Sequence, residues 1–98
     1  MNWRSRKYLD RVKDLSCRLC GAEDGTIVPA HYSGYMSHKL GKGMGQKASD
    51  HCVAALCHSC HAQMDSYKDG NGRDRAIAFM IAILETQGEL LNAAGCKG

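Results

Sequence analysis

The sequence predicts an α+β fold of one domain, stapled by zinc, with a helix on either flank. Three observations carry that expectation. Two Cys-x-x-Cys pairs, Cys17/Cys20 and Cys57/Cys60, have 36 residues between them. Two short β-rich runs lie in the region between and beside the pairs, and helical apolar periodicity marks the beginning of the chain and residues 73–87. At 98 residues the chain is near the lower end of what folds alone, so a structural metal adds stability that a modest core does not supply. No internal repeat and no second domain are visible in residues 1–98.

Residues 3–15 read as an amphipathic helix, with Tyr8, Val12 and Leu15 on one stripe and Leu9 beside it. Cys17-Arg18-Leu19-Cys20-Gly21 follows as a tight knuckle, Gly21 permitting the reversal. A first strand begins at Thr26-Ile27-Val28 and runs through Pro29 and Ala30 to His31 and Tyr32; its proline marks an edge strand or a bulge. Residues 33–50, with four glycines and Lys39, Lys42 and Lys47, predict a long, flexible, basic loop, and its spacing is not that of a phosphate-binding GxxxxGK[ST] loop. Cys52–Leu56 reads as a second strand and the segment from His58 to about Lys68 as a short helix, broken by Asp69-Gly70-Asn71-Gly72. In residues 73–87, Ile77, Met80, Ile81 and Leu84 follow the i, i+3, i+4, i+7 pattern, widened by Phe79 and Ile83, and predict a core or dimer-packing helix that Gly88 ends or bends.

No apolar run reaches the roughly 18 residues of a membrane span, and the N-terminus lacks a signal-peptide core. The expected location is a reducing cytoplasm without membrane attachment, where paired cysteines favour a metal over a disulfide. Cys17, Cys20, Cys57 and Cys60 then form a closed four-thiolate site for structural Zn2+, with no open coordination position. Cys52 is left over as a small buried residue, and Cys96 lies in the tail. The net charge of +3 decides little, but its distribution is uneven. Arg4, Arg6, Lys7, Lys39, Lys42 and Lys47 crowd the front and middle of the chain and are the candidate contacts to a nucleic-acid backbone; a solvated helix face is the alternative for the N-terminal cluster.

His61 directly follows the last zinc cysteine, and Asp65 lies four residues later on the same helix face. An imidazole and a carboxylate so spaced can hold a second divalent ion while leaving positions for water and substrate, although an ordinary surface hydrogen bond uses the same spacing. His31, alone between the two pairs, is a candidate general base, because a neutral imidazole takes a proton from water near neutral pH. His38, His51 and His58 read as loop or surface residues.

The order CxxC, Ala30-His31, a central polar residue, then Cys57-x-x-Cys60-His61-x-x-x-Asp65 resembles the HNH endonucleases, also called the His-Me finger or ββα-metal group. The closer likeness is to small phage and prophage nucleases of the YbcO-like and Ref-like kind, through Tyr8-Leu9, Leu15-Ser16-Cys17, Ala30-His31 and the segment from Gly41 to Asp50. The resemblance covers roughly residues 4–68. It implies a ββα-metal core over about 17–68, with the helix at 73–87 packed against it. His31 takes the place of the base, His61 that of the helix histidine on the catalytic metal, Asp65 that of the last histidine, and Asp50 that of the central residue that orients the base or reaches the metal. The implied reaction is hydrolysis of DNA with Mg2+ or Mn2+, leaving a 5′-phosphate and a 3′-hydroxyl, in recombination or replication, where a recombinase or replication protein is a candidate partner. Two departures stand out: Ala30 replaces the usual His or Asp metal ligand before the base, and Asp50 stands two residues earlier than usual. Two other readings stay open, a zinc-stabilised nucleic-acid-binding module without catalysis and a structural zinc domain that forms a homodimer through the 73–87 helix.

Overall fold

Ser5 opens the first helix. Its backbone is extended (φ −153°, ψ 104°) and its hydroxyl accepts the N–H of Tyr8 at 3.1 Å, satisfying one of the donors that a helix start leaves unpaired. Helix α1 therefore spans Arg6–Val12, shorter at both ends than the predicted 3–15. It closes with bonds from the N–H of Asp14 to the Arg11 carbonyl and from the N–H of Leu15 to the Val12 carbonyl, both 3.1 Å. The structure, a computed structural model, describes residues 3–32, 39, 47–65 and 72–93. Most of the predicted basic loop, with His38 and Lys42, lies outside the described residues, as do residues 66–71 and the tail with Cys96.

Among the described residues the fold is a small α+β arrangement of three helices and one antiparallel two-stranded sheet. Strands β1 (Val28–His31) and β2 (Val53–Leu56) pair in the register Val28↔Leu56, Pro29↔Ala55, Ala30↔Ala54 and His31↔Val53. Helix α2 (His58–Asp65) follows β2 after one residue, and helix α3 (Gly72–Ala93) packs across β2. The Tyr32 N–H donates to the Cys52 carbonyl at 2.9 Å, which makes Ala30↔Ala54 and Val28↔Leu56 the hydrogen-bonded pairs of the ladder. Pro29 therefore falls at a position whose missing N–H would point away from β2, and the ladder loses nothing.

By the same alternation Ala55 turns its polar groups to the far side of β2. Its N–H donates to Thr86 Oγ1 of α3 at 3.0 Å, and its carbonyl accepts the Arg18 N–H at 2.8 Å. Thr86 is fully buried and passes its own hydrogen to the Ala82 carbonyl at 2.8 Å. The far edge of β2, buried along its whole length, thus keeps both backbone groups of Ala55 satisfied.

Helix α3 departs from the prediction twice. It continues through Gly88 to Ala93, because Leu90 beyond it is buried and its carbonyl accepts Arg11 Nη2 at 3.0 Å. Tertiary contacts on that scale outweigh the roughly 1 kcal/mol that a helical glycine costs. The buried face is only partly the predicted one, because Phe79 and Ile83 are buried and Met80 packs partly against the core while Ile77, Ile81 and Leu84 of the predicted stripe are exposed. Ala76, Phe79, Ala82, Ile83, Thr86 and Leu90 are buried, whereas Ile77, Ile81, Leu84 and Leu91 are exposed, Leu84 by 65%. Small residues at 76, 82 and 86 let the helix approach β2, where Ala54 and Ala55 offer little bulk. Phe79 meets Tyr32 edge to face with ring centroids 5.2 Å apart, at the centre of a core that includes Val12, Val53, Leu56 and Met64. No helix among the described residues is long and apolar enough to cross a membrane.

Candidate functional site

The first knuckle is a turn closed by two 2.9 Å bonds, from the Gly21 N–H to the Cys17 carbonyl and from the Cys17 N–H to the Ala22 carbonyl. Gly21 sits at φ +79°, a left-handed conformation that favours glycine, and the Arg18 N–H pins the turn to β2. Cys57 leaves the end of β2, and Cys60 lies in the first turn of α2. The start of α2 is held by Thr26, whose hydroxyl accepts the His58 N–H at 3.1 Å and donates to Asp24 Oδ1 at 2.5 Å.

These turns bring Cys17, Cys20, Cys57 and Cys60 together, with all four sulfurs within 4.8 Å of one another. Cys20 and Cys57 are 3.6 Å apart and neither is in a disulfide. A tetrahedron of sulfurs each about 2.3 Å from a zinc ion has an edge of about 3.8 Å, so the four thiols fit a metal such as zinc, whereas a disulfide would need about 2.05 Å. Burial opposes ionisation of Cys17, but the backbone N–H groups of Cys20, Cys57 and Leu19 outweigh it and bring that thiol down to about 6. Cys60 is pushed far up, by burial first and then by the thiols of Cys57, Cys17 and Cys20. Without a cation, crowded thiols cannot all ionise together; a divalent ion removes that conflict.

A second constellation gathers around Asp50, immediately before β2. His31 Nε2 lies 2.8 Å from Asp50 Oδ1, and both side chains are largely buried. The other carboxylate oxygen accepts the Ser5 N–H at 2.7 Å, and Arg4 Nη1 stands 3.2 Å from Oδ1. Burial alone would raise the Asp50 carboxyl; the His31 ring, the Ser5 N–H and Arg4 together outweigh it and hold the group below its ordinary 3.8. Asp50 is therefore an anion at neutral pH and only accepts, so His31 Nε2 carries a hydrogen and its Nδ1 is the basic nitrogen.

Residues 3–5 form a strap over residues 47–51. Trp3 donates its N–H to Ser49 Oγ at 2.8 Å and accepts the Asp50 N–H at 2.8 Å, while Arg4 donates to the Ala48 carbonyl at 2.6 Å and the Lys47 carbonyl at 2.7 Å. Ser49 is fully buried and also contacts His51 Nδ1 at 3.1 Å. Arg4 thus uses its guanidinium on the Lys47 and Ala48 carbonyls and Asp50 while its side chain stays partly exposed. Arg6, Lys7, Lys39 and Lys47 are exposed, and Arg6 stands 3.9 Å from Asp10 along the helix.

The strap and Ser49 were not singled out from the sequence. The N-cap at Ser5 was a usable local signal for excluding residues 3 and 4 from the helix, but no local pattern joins residue 4 to residue 50. His51, expected in a loop or on the surface, lies in the turn before β2 and is half-buried between Ser49 and Trp3. His61 is half-buried on α2, one residue after the fourth cysteine, whereas the Asp65 side chain and Lys42 lie outside the described residues. Compared with protein-family models, with curated proteins and with solved structures, the chain matches none.

Proposed function

We propose that this chain is a metal-dependent HNH endonuclease of the ββα-metal type, encoded by phage or prophage and hydrolysing DNA phosphodiester bonds. The observation that carries the reading is the 2.8 Å contact between His31 and an anionic Asp50, set on a β1–β2–α2 unit whose β2–α2 junction meets the first knuckle at four zinc-compatible cysteines. Asp50 accepts the Nε2 hydrogen of His31 and so fixes the tautomer in which Nδ1 can take a proton from an attacking water. The charge that then develops on the imidazole is stabilised by the same carboxylate, which Ser5 and Arg4 hold in place.

His61 and Asp65 are the residues that would hold the second ion, Mg2+ or Mn2+. Bound there, it would supply positive charge beside the scissile phosphate. Both oxygens of Asp50 already have partners within the protein, which favours its role as the orienting residue over that of a third ligand. Ala30 has no ligand atom and is buried, and this departure favours the alternative, a zinc-stabilised nucleic-acid-binding module without catalysis. A recombination or replication protein is the partner class this reading brings with it.

Cleavage of supercoiled and single-stranded DNA with Mg2+ or Mn2+ separates the two. We expect His31→Ala and His61→Ala each to lower the rate about 100- to 10,000-fold while keeping zinc content and circular dichroism. DNA binding without cleavage by the wild type, under any metal, would instead establish the binding module.

A further inference from the structure

Helix α3 is apolar on two opposite sides, and only one of them is used within the chain. Phe79, Ala82, Ile83, Thr86 and Leu90 face the core. At about 3.6 residues per turn, Ile77, Ile81, Leu84, Gly88 and Leu91 fall within an arc of about 80° on the other side. All five are exposed, Ile77 and Ile81 by 51%, Leu84 by 65% and Leu91 by 57%. No charged residue falls inside that arc between Ile77 and Leu91.

The spacing is that of a coiled-coil seam. Ile77, Leu84 and Leu91 repeat every seventh residue, and Ile81 and Gly88 repeat likewise at the second seam position. Side chains exposed to this degree leave on the order of 400 Å² of apolar surface in one strip, as large as the biggest patch of an ordinary monomer. The segments outside the described residues are glycine-rich and carry one leucine and no isoleucine or valine, so they hold no matching stripe. A second copy of α3 does.

Gly88 indicates how the copies meet. Glycine weakens a helix interior, and a side chain added here would find nothing within 4 Å, so its own chain has no need of it. On a seam, a glycine leaves a gap that a larger side chain of a facing helix fills. In an antiparallel pair centred between Ile81 and Leu84, each Gly88 lies opposite Ile77 of the other copy and each Ile81 opposite Leu84. At the margins Glu85 faces Ala78 and Gln87 faces Met80, so no like charges meet. A parallel pair would set Gly88 against Gly88 and leave a void. Two copies hide on the order of 800 Å² of aliphatic surface, and the margins bring the total toward the roughly 1,200 Å² at the low end of specific interfaces.

We propose that two copies of this chain associate through this stripe of α3 as an antiparallel helix pair, with Ile77 of each seated over Gly88 of the other. The pair does not depend on the nuclease reading.

Sedimentation equilibrium of the zinc-loaded chain tests it. Between about 1 and 500 μM the mass should rise from one 10.7 kDa chain toward two, with a Kd on the order of 10 μM. Leu84→Glu, at an exposed position, should fold and bind zinc like the parent when the copies are apart, yet pair about 100-fold more weakly. Gly88→Leu adds apolar surface and fills the gap. An unspecific apolar contact would then tighten, whereas the seated pair should weaken about 10-fold. Adding Ile77→Ala to Gly88→Leu exchanges the large and small partners and should bring the Kd back to within about 3-fold of the parent. A chain that stays monomeric throughout, or a Gly88→Leu variant that pairs more tightly than the parent, overturns the proposal. DNA cleavage by that same chain would leave the nuclease reading intact.

Discussion

Asp50 concentrates much of the chemistry of this chain in one carboxylate, and its surroundings give its titration a definite sign. The group is held below its ordinary 3.8 although burial works against it, because the His31 ring, the Ser5 N–H and Arg4 favour the charged form. A carboxyl whose pKa is lower in the folded chain than in the unfolded one stabilises the fold above the unfolded value, and that contribution is lost as pH falls through the folded value. Wild type should therefore lose an increment of stability below about pH 3.8 that Asp50→Asn, lacking the carboxyl, does not lose. Urea midpoints of the two proteins at pH 7, 5, 4 and 3 test this: the gap between them should narrow below pH 4, and a constant gap would contradict it. Arg4→Met, which removes one of the groups that lower Asp50, should show a smaller acid loss than wild type. The site was only partly legible in the chain. His31 and Asp50 could be picked out by residue type and resemblance, but their contact spans 19 residues, and Arg4 reaches across 46. Such pairs are set by how strands and strap close in space, and no local pattern encodes that.

Among the elements, α3 tests most directly which apolar stripe supports the fold. Two stripes run along it. Ala76, Phe79, Ile83, Thr86 and Leu90 are buried, and Ile77, Ile81, Leu84 and Leu91 are exposed. Phe79→Ala should cost about 3–5 kcal/mol by opening a cavity under Tyr32, whereas Leu84→Ala should stay within about 0.5 kcal/mol. Thr86→Val keeps the volume of the side chain but leaves the Ala55 N–H without an acceptor, and should cost about 1–3 kcal/mol. Equilibrium denaturation of the three variants orders them; equal losses for Phe79→Ala and Leu84→Ala would mean that the helix buries a different face. The sequence placed every element and the Cys-x-x-Cys knuckles, since strands, turn glycine and helix periodicity are local signals. It centred the apolar face of α3 on Ile77, Ile81 and Leu84, which are exposed, and took the buried Phe79 and Ile83 as its margin, because the two stripes are comparably apolar. The buried one is marked by small residues fitting against Ala54 and Ala55, a complementarity visible only once β2 is in place. Gly88 misled for a similar reason, as the packing of Leu90 and the Arg11 bond extend the helix past a residue of poor propensity.

For the whole molecule, the balance between core and metal decides whether there is a fold at all. A chain of 98 residues at about 0.05–0.15 kcal/mol per residue has roughly 5–15 kcal/mol of net stability. A four-cysteine zinc site contributes about 10–16 kcal/mol of apparent binding energy at neutral pH, the same scale as the entire fold. An ion on the four thiols would tie the knuckle after α1 to the β2–α2 junction, adding to the Arg18–Ala55 and His58–Thr26 bonds that already meet there. Removing the ion would leave Cys17 and its neighbours as crowded, partly ionised thiols at the start of α2, the helix that carries His61. Chelation at neutral pH should therefore abolish the cooperative unfolding transition, and one equivalent of Zn2+ should restore it. Cys60→Ser should weaken zinc binding and folding together. Cys52→Ser, a buried cysteine outside the cluster, should retain one zinc per chain. On the proposed nuclease reading, Mg2+ or Mn2+ held by His61 and Asp65 should restore cleavage in metal-depleted buffer while changing the stability of the zinc-loaded protein by no more than about 1 kcal/mol at concentrations near their Kd. A chain that stays cooperatively folded after its zinc has been removed would show that the core suffices alone, and the four cysteines would then need another explanation.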